Sequence, residues 1–339
     1  MKNPAIIFTA PGKAELLEGG IRSPKDDEIL VDMEYTAVSA GTEYACLAGL
    51  PNTASHQSFP TRLGYSGIGV IEEIGENVKK FKKGDRVLVY HGTHAKYNLA
   101  HEDQLTKIEN DSIDSKEAAF VIIATMGLGG ARKLELELGE SAMVIGLGLL
   151  GMFAIESLSL SGAYPLIAVD FDEERRKKAL ELGADYALDP REEGFVEKVK
   201  ELIGGKGVNA TVEVTGSAKA METALECASY MGRVSLLGCT RVSDQPIDYY
   251  QLVHRPGVRL IGAHNFVRPK FESYPHHWTH QDDCKAILAL LAAGKFRIAP
   301  IISEVHRPED SLEVYARLAK HELPLGVVFD WREVQVSER

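Results

Sequence analysis

Residues 1–122 alternate between apolar and polar side chains in short runs that are separated by turn-forming segments. A period of two residues predicts β-strands with one buried face, and the clearest strands span residues 28–34, 67–75 and 85–90. The middle run is rich in glycine, which is typical of a corner in a barrel. This part of the chain therefore predicts an antiparallel, partly open β-barrel domain.

Residues 123–264 follow a different pattern, in which short apolar runs alternate with longer helical runs. Such alternation predicts a parallel sheet whose strands are joined by crossover helices. The helical runs include an amphipathic one at 152–160 and two more at 173–182 and 195–203. The predicted strands are residues 142–146, 166–170, 186–188, 210–214, 233–237 and 259–262. Six strands are the size of a complete doubly wound α/β domain.

The last part of the chain carries two helical runs, at 282–293 and 311–320, and then a single apolar strand at 326–329. A strand needs a sheet to satisfy its backbone groups, and the antiparallel barrel is its natural partner. We therefore predict that the chain returns to its first domain. The predicted domain segments are 1–122, 123–264 and 265–339.

A glycine-rich turn joins the first predicted strand of the α/β domain to its first helix. It reads Gly146-Leu147-Gly148-Leu149-Leu150-Gly151, with the glycine spacing of a dinucleotide-binding turn. The first glycine permits the tight turn, the second lets a pyrophosphate approach the backbone, and the third lets the helix pack on the strand. N–H groups at the helix start, including those of Leu149 and Leu150, would bind the phosphates. The alternative is a turn without a ligand, but the flanking strand and helix favour the nucleotide.

An acidic residue ends the second predicted strand, about 20 residues beyond this turn. A carboxylate at Asp170 can accept hydrogen bonds from both ribose hydroxyls of NAD, and it repels the 2′-phosphate of NADP. Arg175 and Arg176 follow closely, and an arginine there can accommodate a phosphate. The sequence therefore favours NAD as the cofactor and leaves NADP as the less favoured alternative.

The 339-residue chain has a formal net charge of −11, and its acidic residues are spread along the sequence. This charge disfavours nucleic acid and anionic membrane surfaces as partners. No apolar run reaches the roughly 18 residues of a membrane helix, and we expect no secretory signal. The four scattered cysteines form no C-x-x-C pair. We therefore expect neither a disulfide framework nor a zinc ribbon, and a reducing, cytoplasmic location.

Several motifs together resemble the medium-chain dehydrogenase/reductase superfamily, the alcohol dehydrogenase-like proteins. Residues 72–78 and 81–87 resemble its barrel signature, and residues 146–151, 179–185, 213–216 and 232–238 are similar to motifs of its nucleotide domain. The resemblance covers nearly the whole chain. It implies a GroES-like barrel, a Rossmann domain, a nicotinamide cofactor and a homodimer or homotetramer. It also implies a cofactor groove lined by Thr125, Thr215, Gly216, Gly238, His264 and Asn265.

The chain departs from this family at the positions that bind catalytic zinc. Ala40 stands in place of the family's cysteine, and Tyr65 and Ser66 stand in place of a histidine and a glutamate. Residues 121–123 are aliphatic where the remaining ligand is expected, and the cysteine-rich lobe for structural zinc is missing around residues 89–97. Because zinc needs thiolate, imidazole or carboxylate ligands, we expect none at either usual site.

Two short segments resemble a narrower, zinc-ligand-lacking branch of the superfamily, which includes bacteriochlorophyllide hydroxyethyl dehydrogenase. These segments are residues 39–43 and 276–278. The branch implies hydride chemistry on an alcohol or ketone without assistance from the usual metal.

Without zinc, a hydrogen-bond donor must stabilise the substrate oxygen during hydride transfer. Tyr65 is the best candidate, and the alternative is an aromatic ring that only fills the space left by the metal. The resemblance implies that Thr42 relays a proton towards the ribose and that His264 lies near the nicotinamide. Ser66 and Glu43 are secondary catalytic candidates.

Three residues with metal-binding chemistry, His276, His280 and Cys284, are spaced four apart. One continuous helix would place them on a single face as a relocated metal site. The alternative, which we favour, is a loop anchored by Trp278 that leads into a helix starting at Thr279.

Three functions remain open from the sequence. The first is a zinc-independent, NAD(H)-dependent interconversion of an alcohol and a ketone or aldehyde, which Asp170 and the polar side chains of Thr42, Tyr65 and His264 favour. The second is an enone or quinone reductase, as many zinc-free relatives are; those relatives mostly use NADPH, which Asp170 disfavours. The third is an NAD-binding protein without catalysis. The sequence does not identify the small-molecule substrate.

Overall fold

The structure, a computed structural model, describes residues 1–53, 56, 58–242 and 245–334. The chain divides into two compact units. Met1–Ile123 and Cys284–Arg339 form the barrel unit, and Ala124–Asp283 form the nucleotide unit. Residues 265–283 thus group with the nucleotide unit, whereas the sequence analysis placed them with the returning segment. Within this segment, the carboxylate of Asp283 pairs with Arg132 and Arg268 of the nucleotide unit.

The secondary structure alternates as the sequence pattern predicts. The strands of the described residues are β1 (Lys2–Ala10), β2 (Lys13–Gly20), β3 (Glu28–Ala37), β4 (Ser66–Ile74), β5 (Arg86–Tyr90), β6 (Tyr97–His101), β7 (Leu105–Lys107), β8 (Ala142–Ile145), β9 (Leu166–Val169), β10 (Tyr186–Leu188), β11 (Val208–Glu213), β12 (Ala228–Leu236), β13 (Arg259–Gly262), β14 (Glu304–His306) and β15 (Val327–Asp330). The α-helices of the same residues are α1 (Ala40–Leu47), α2 (Ser115–Ala118), α3 (Val121–Arg132), α4 (Leu149–Leu160), α5 (Glu173–Glu181), α6 (Phe195–Leu202), α7 (Ala218–Cys227), α8 (His280–Ala292) and α9 (Ser311–Ala319).

The barrel unit contains one large sheet in the order β14-β15-β3-β4-β5-β7, with β6 paired to β3, and a separate hairpin of β1 and β2. The three strands that the alternating pattern predicts are present as β3, β4 and β5. Glycine in β4 permits close strand crossing, because a Cβ on Gly69 would lie 2.3 Å from the carbonyl oxygen of Asp32. Alternate side chains of β3, including Ile29, Val31 and Met33, enter the core of this unit.

The C-terminal strand joins the barrel sheet. β15 pairs antiparallel with β3, with Val328 opposite Ala37 and Asp330 opposite Tyr35. Trp331, immediately after this strand, is fully buried in the barrel core. The C-terminal segment therefore adds a strand to the barrel sheet and a large buried side chain to the barrel core.

The nucleotide unit contains a six-stranded parallel sheet in the order β10-β9-β8-β11-β12-β13. This order confirms the predicted doubly wound α/β fold. Every residue of β8 and β9 is buried, as expected for strands covered by helices on both faces. Because the strand order reverses beside β8, a ligand is expected at the carboxyl end of that strand.

Helix α4 differs from its predicted amphipathic character. Residues 149 and 151–158 are buried, including the carboxylate residue Glu156. The helix packs on β8, β9 and α5, and helix α3 approaches it closely, since a Cβ on Gly127 would lie 2.8 Å from Cβ of Phe153. A helix with neighbours on several sides has no polar face to present. Even so, no helix of the described chain is long and apolar enough to cross a membrane.

Candidate active site

Three hydroxyl side chains meet at the start of helix α1 in the barrel unit. The Oγ of Ser39 lies 2.5 Å from the phenol oxygen of Tyr65. The side chain of Thr42, in the first turn of α1, also hydrogen-bonds to this phenol. The structure therefore brings together Thr42 and Tyr65, two of the catalytic candidates from the sequence. It adds Ser39, whose only sequence signal was its place next to the residue that replaces the family's cysteine.

The Tyr65 phenol stays protonated at neutral pH. Burial raises the pKa of Tyr65 well above its ordinary value near 10, and the nearby charge of Glu43 raises the pKa further. Hydrogen bonds with Ser39 and Thr42 lower this pKa but do not offset the burial. The phenol is thus suited to donate a hydrogen bond or a proton to a substrate oxygen.

Glu43, a secondary catalytic candidate, is fully buried in the barrel unit. One carboxylate oxygen, Oε1, accepts the backbone N–H of Ser39 at 2.8 Å and lies 3.2 Å from Nε2 of His94. The other oxygen, Oε2, accepts the hydroxyl of Tyr315 at 2.6 Å. With its oxygens committed inside the barrel, Glu43 acts as a positioning residue for Ser39 rather than as a group that touches substrate.

The hydrogen-bonded network continues beyond Glu43 to the C-terminal segment. His94 places its Nδ1 2.7 Å from Oγ1 of Thr36, and Thr36 Oγ1 accepts the indole N–H of Trp331 at 2.8 Å. Because Nε2 faces a carboxylate oxygen, which can only accept a hydrogen bond, Nε2 carries the proton of neutral His94. Sequence reasoning missed His94, Tyr315 and Trp331, since no local pattern marks them as partners.

The usual zinc positions of the family hold side chains that do not fit a zinc ion. Ala40 has no donor atom, and Tyr65 keeps its proton. The hydroxyl of Ser66, another secondary candidate, is fully buried and donates to the carbonyl oxygen of Ala119 at 2.6 Å. Residues 121–123 are buried aliphatic side chains. This donor set lacks the thiolate, imidazole and carboxylate ligands that zinc needs.

The His276, His280 and Cys284 spacing does not form a helical stripe. Helix α8 begins at His280, and Thr279 caps it by accepting the N–H of Asp282 at 3.2 Å. His276 lies before this helix, with a positive φ of 63°. The predicted loop leading into a helix is therefore confirmed. Within the described parts of the chain, no three His, Cys, Asp or Glu side chains form a group that could hold a metal ion.

The glycine turn of the nucleotide unit has the geometry of a phosphate cradle. Gly146 adopts a φ of 95°, and a Cβ on Gly151 would lie 1.9 Å from the carbonyl oxygen of Gly146. Gly148 is the N-cap of α4, and a Cβ there would meet no protein atom within 4 Å. Met152 donates the first intrahelical bond, to Gly148, so the N–H groups of residues 149–151 precede the helical ladder. These features fit a bound pyrophosphate.

Replacement of Gly148 by alanine separates cofactor binding from folding. The added methyl group meets no protein atom within 4 Å, so the melting temperature should stay within about 2 °C. The methyl would occupy the space into which a pyrophosphate must approach, so NADH should bind about tenfold more weakly. Fluorescence titration and thermal unfolding measure the two quantities. The Gly20→Ala control, on strand β2, should change neither; unchanged NADH affinity in Gly148→Ala would contradict the assignment of this turn.

Asp170 is fixed beside the glycine turn. Its Oδ2 accepts the backbone N–H of Leu147 at 2.7 Å, and its Oδ1 accepts the N–H of Asp172 at 2.9 Å. Each carboxylate oxygen keeps a further lone pair for a ligand hydroxyl. Arg176 donates to the carbonyl oxygen of Asp170 at 2.7 Å, whereas Arg175 lies half-buried in the first turn of α5.

The predicted groove residues of β11 and β12 meet at the carboxyl edge of the sheet. Glu213, fully buried, accepts the N–H of Thr215 at 2.7 Å, the N–H of Gly216 at 3.2 Å and the Thr215 hydroxyl. Burial raises the pKa of Glu213 against these hydrogen bonds. A Cβ on Gly238 would lie 2.3 Å from the nitrogen of Gly216, and one on Gly146 would lie 2.7 Å from Thr215. Glu213 thus holds a turn beside the glycine turn.

The remaining predicted groove residues differ in exposure. Thr125 is fully buried, and its hydroxyl lies 3.4 Å from Nδ1 of His280. His264 is exposed beyond the end of β13, and Asn265 beside it is half-buried. The Nδ1 of His264 accepts the N–H of Phe266 at 3.2 Å, so the proton of the neutral ring is on Nε2.

The fold and these residues define a class of protein. Residues 25–133 match the family model described as Alcohol dehydrogenase GroES-like domain, and residues 150–277 match the model described as Zinc-binding dehydrogenase. The chain belongs to the medium-chain alcohol dehydrogenase superfamily and is an alcohol dehydrogenase-like oxidoreductase. Binding of NAD(P) is typical of this family.

Similar proteins include curated enzymes and solved structures. The chain is 29% identical to L-threonine 3-dehydrogenase of Thermococcus kodakarensis, over 92% of this chain and 93% of that protein. Benzyl alcohol dehydrogenase from Acinetobacter calcoaceticus has a TM-score of 0.84 at 20% identity, over 97% of this chain and 99% of that chain. For 2R,3R-butanediol dehydrogenase from Bacillus subtilis the TM-score is 0.79 at 21% identity, with the same coverage. These two structures share the fold.

Proposed function

We propose that this protein is an NAD(H)-dependent oxidoreductase that interconverts a small alcohol and its ketone or aldehyde without the usual catalytic zinc. The observation that supports this most directly is the hydroxyl cluster of Ser39, Thr42 and Tyr65. Its Tyr65 stands at a position where the resemblance implies a metal ligand in zinc-type relatives, and this phenol is a protonated donor. The proposal also assigns the chain to the zinc-ligand-lacking branch of its superfamily.

Different residues serve the cofactor and the substrate oxygen in this proposal. A bound nicotinamide cofactor would supply or accept the hydride. Gly146, Gly148 and Gly151 would hold its pyrophosphate, and Asp170 would hold its ribose. During reduction, the neutral phenol of Tyr65 gives its proton to the carbonyl oxygen as negative charge develops there. The phenolate that forms is stabilised by its hydrogen-bonded hydroxyl neighbours, which return a proton from solvent; oxidation runs through the same groups in reverse.

One experiment tests the proposal as a whole. The purified protein is analysed for metal and assayed for NADH-dependent reduction of ketones and aldehydes, with and without a zinc chelator. We expect far less than one zinc per chain and an activity that the chelator does not change. A stoichiometric zinc whose removal abolishes turnover would contradict the metal-free mechanism. A preference for enones with NADPH would instead establish the reductase alternative, and cofactor binding without any turnover would establish a catalytically silent protein.

Replacement of Asp170 by asparagine tests the choice of NAD. Asparagine keeps an oxygen that can accept the N–H of Leu147 but removes the charge that repels a 2′-phosphate. The ratio of NADPH affinity to NADH affinity should therefore rise about tenfold. Asp185→Asn is the matched control, because Asp185 accepts the N–H of Leu166 at 2.7 Å at the opposite edge of the sheet. Wild-type protein that binds NADPH more tightly than NADH would contradict the cofactor assignment.

The substrate, the oligomeric state and the cellular location are predictions. We propose a small-molecule alcohol or carbonyl compound as the substrate, in line with the names of L-threonine 3-dehydrogenase and butanediol dehydrogenase among the similar proteins. A homodimer or homotetramer and a cytoplasmic location are likewise predictions from the sequence.

A further inference from the structure

A basic cavity opens on the nucleotide unit at the carboxyl end of β13, and its empty space is about 320 Å³ when the adjoining open solvent is counted. Its cationic walls are Arg132 and Lys133, at the end of α3, and Arg268, in the segment after β13. His264 and His276 add imidazole groups to the lining. A cluster of this sign is unexpected in a chain whose net charge is −11.

The cavity carries more positive charge than its own acid can neutralise. Asp283, 1% exposed, pairs with Arg132 at 2.8 Å and also with Arg268. One carboxylate thus serves two guanidinium groups. Among the described residues, no carboxylate pairs with the ammonium group of Lys133. Burial lowers the pKa of Lys133, and the neighbouring charge of Arg268 lowers it further. An anion in the cavity would relieve this repulsion.

The cationic groups are held in place before any ligand arrives. The guanidinium of Arg132 stacks on the ring of Trp278, 4.1 Å from its centroid. Arg268 is fixed by its pair with Asp283 and by a hydrogen bond to the carbonyl oxygen of Thr125. Rigid guanidinium groups suit the planar oxygens of carboxylate and the oxygens of phosphate.

The cavity lies near the place where the nicotinamide end of the cofactor would bind. If Asp170 holds the adenosine ribose and the glycine turn after β8 holds the pyrophosphate, the nicotinamide half of a bound cofactor would lie on the other side, towards β11 to β13. Strand β13 is three strands from β8 in the sheet, or about 14 Å at the usual strand spacing. His264, between β13 and the cavity, therefore lies near that end.

We propose that this cavity binds an anionic group of the substrate, a carboxylate or a phosphate ester, and so selects acidic alcohols over neutral ones. This inference rests on the proposed dehydrogenase function. Lys133 is the residue on which it depends most, because its charge is not already shared with Asp283. A carboxylate and a phosphate ester both present anionic oxygens, which would accept hydrogen bonds from Lys133, Arg268 and the Nε2–H of His264.

Substrate pairs that differ only in charge test the proposal. Turnover with NAD is measured for 3-hydroxybutyrate against its methyl ester, and for glycerol 3-phosphate against glycerol; the first pair tests a carboxylate and the second a phosphate. In at least one pair, the charged compound should have a kcat/KM at least tenfold higher than its neutral partner. Lys133→Met should remove that preference through a higher KM. Lys206→Met, at an exposed lysine of the same unit, should leave it unchanged.

A binding measurement separates this inference from the proposed function. Inorganic phosphate is titrated calorimetrically into protein saturated with NADH, which keeps the glycine turn occupied. Weaker phosphate binding in Lys133→Met than in Lys206→Met supports the cavity, even if no alcohol is turned over and the dehydrogenase function fails. Phosphate binding that does not depend on Lys133, or equal kcat/KM within both substrate pairs, would overturn the cavity assignment while neutral alcohols could still be oxidised.

Discussion

Replacement of Tyr65 by phenylalanine is expected to lower kcat for carbonyl reduction about 100- to 1,000-fold, the usual cost of removing a donor to a developing oxyanion. The ring is retained, so the protein should fold and bind NADH as before. The phenol is the protonated donor of the hydroxyl cluster. The residues next to it in sequence include no usual zinc ligand that could stabilise the substrate oxygen in its place. Stopped-flow or steady-state assays with a saturating ketone measure the effect.

Two further variants separate a proton donor from a ring that only fills space. Ser39→Ala removes one hydrogen-bond partner of the phenol and should reduce kcat by about tenfold. Tyr97→Phe, a half-buried tyrosine of the same unit, should retain full activity. Because burial raises the pKa of Tyr65, ionisation of this group should not reduce the reduction rate between pH 7 and about pH 10. A fully active Tyr65→Phe enzyme would remove Tyr65 from the mechanism.

Replacement of Glu43 by alanine is expected to destabilise the protein by about 3–5 kcal/mol. The substitution deprives three buried donors of their acceptor: the Ser39 N–H, the His94 Nε2–H and the Tyr315 hydroxyl. Each donor that stays buried without a partner costs about 1–3 kcal/mol, and some relaxation of the barrel reduces the total. Urea-induced unfolding, followed by tryptophan fluorescence, measures the change in the free energy of unfolding.

A milder variant keeps this prediction testable if Glu43→Ala fails to fold. Tyr315→Phe removes one donor and leaves the carboxylate with two, so it should cost about 1–2 kcal/mol. Glu73→Gln, at an exposed glutamate of β4, should stay within about 0.5 kcal/mol of wild type. A loss below about 1 kcal/mol in Glu43→Ala would show that the network has little structural value.

The Glu43 network also bears on the chemistry that we propose. Ser39 is the N-cap of α1, and Glu43 holds its backbone N–H while its hydroxyl meets Tyr65. An acidic side chain that reaches back to the N-cap backbone is a known way to fix a helix start. In this chain the same contact orients a hydroxyl of the candidate active site. Loss of Glu43 should therefore reduce kcat as well as stability.

The strands, the helices and the glycine-rich turn could be predicted from the sequence, because these depend on local patterns. Alternation with a period of two marked β3, β4 and β5, and apolar runs between helices marked the six strands of the parallel sheet. The glycine spacing in residues 146–151 meets the backbone requirements of one tight turn. Asp170 accepts a backbone hydrogen bond from that turn. The sequence likewise shows directly that aliphatic and hydroxyl side chains occupy the family's zinc positions.

Contacts between side chains that are distant in sequence could be seen only in the folded structure. The carboxylate of Glu43 accepts from Tyr315, 272 residues later, and Thr36 accepts from Trp331, 295 residues later. The basic cavity combines the end of α3 with residues that follow β13 and with the loop before α8. The burial of residues 149 and 151–158 of α4 also depends on neighbours on several sides. Such contacts depend on how distant elements pack, and the spacing of residues within one element carries no information about them.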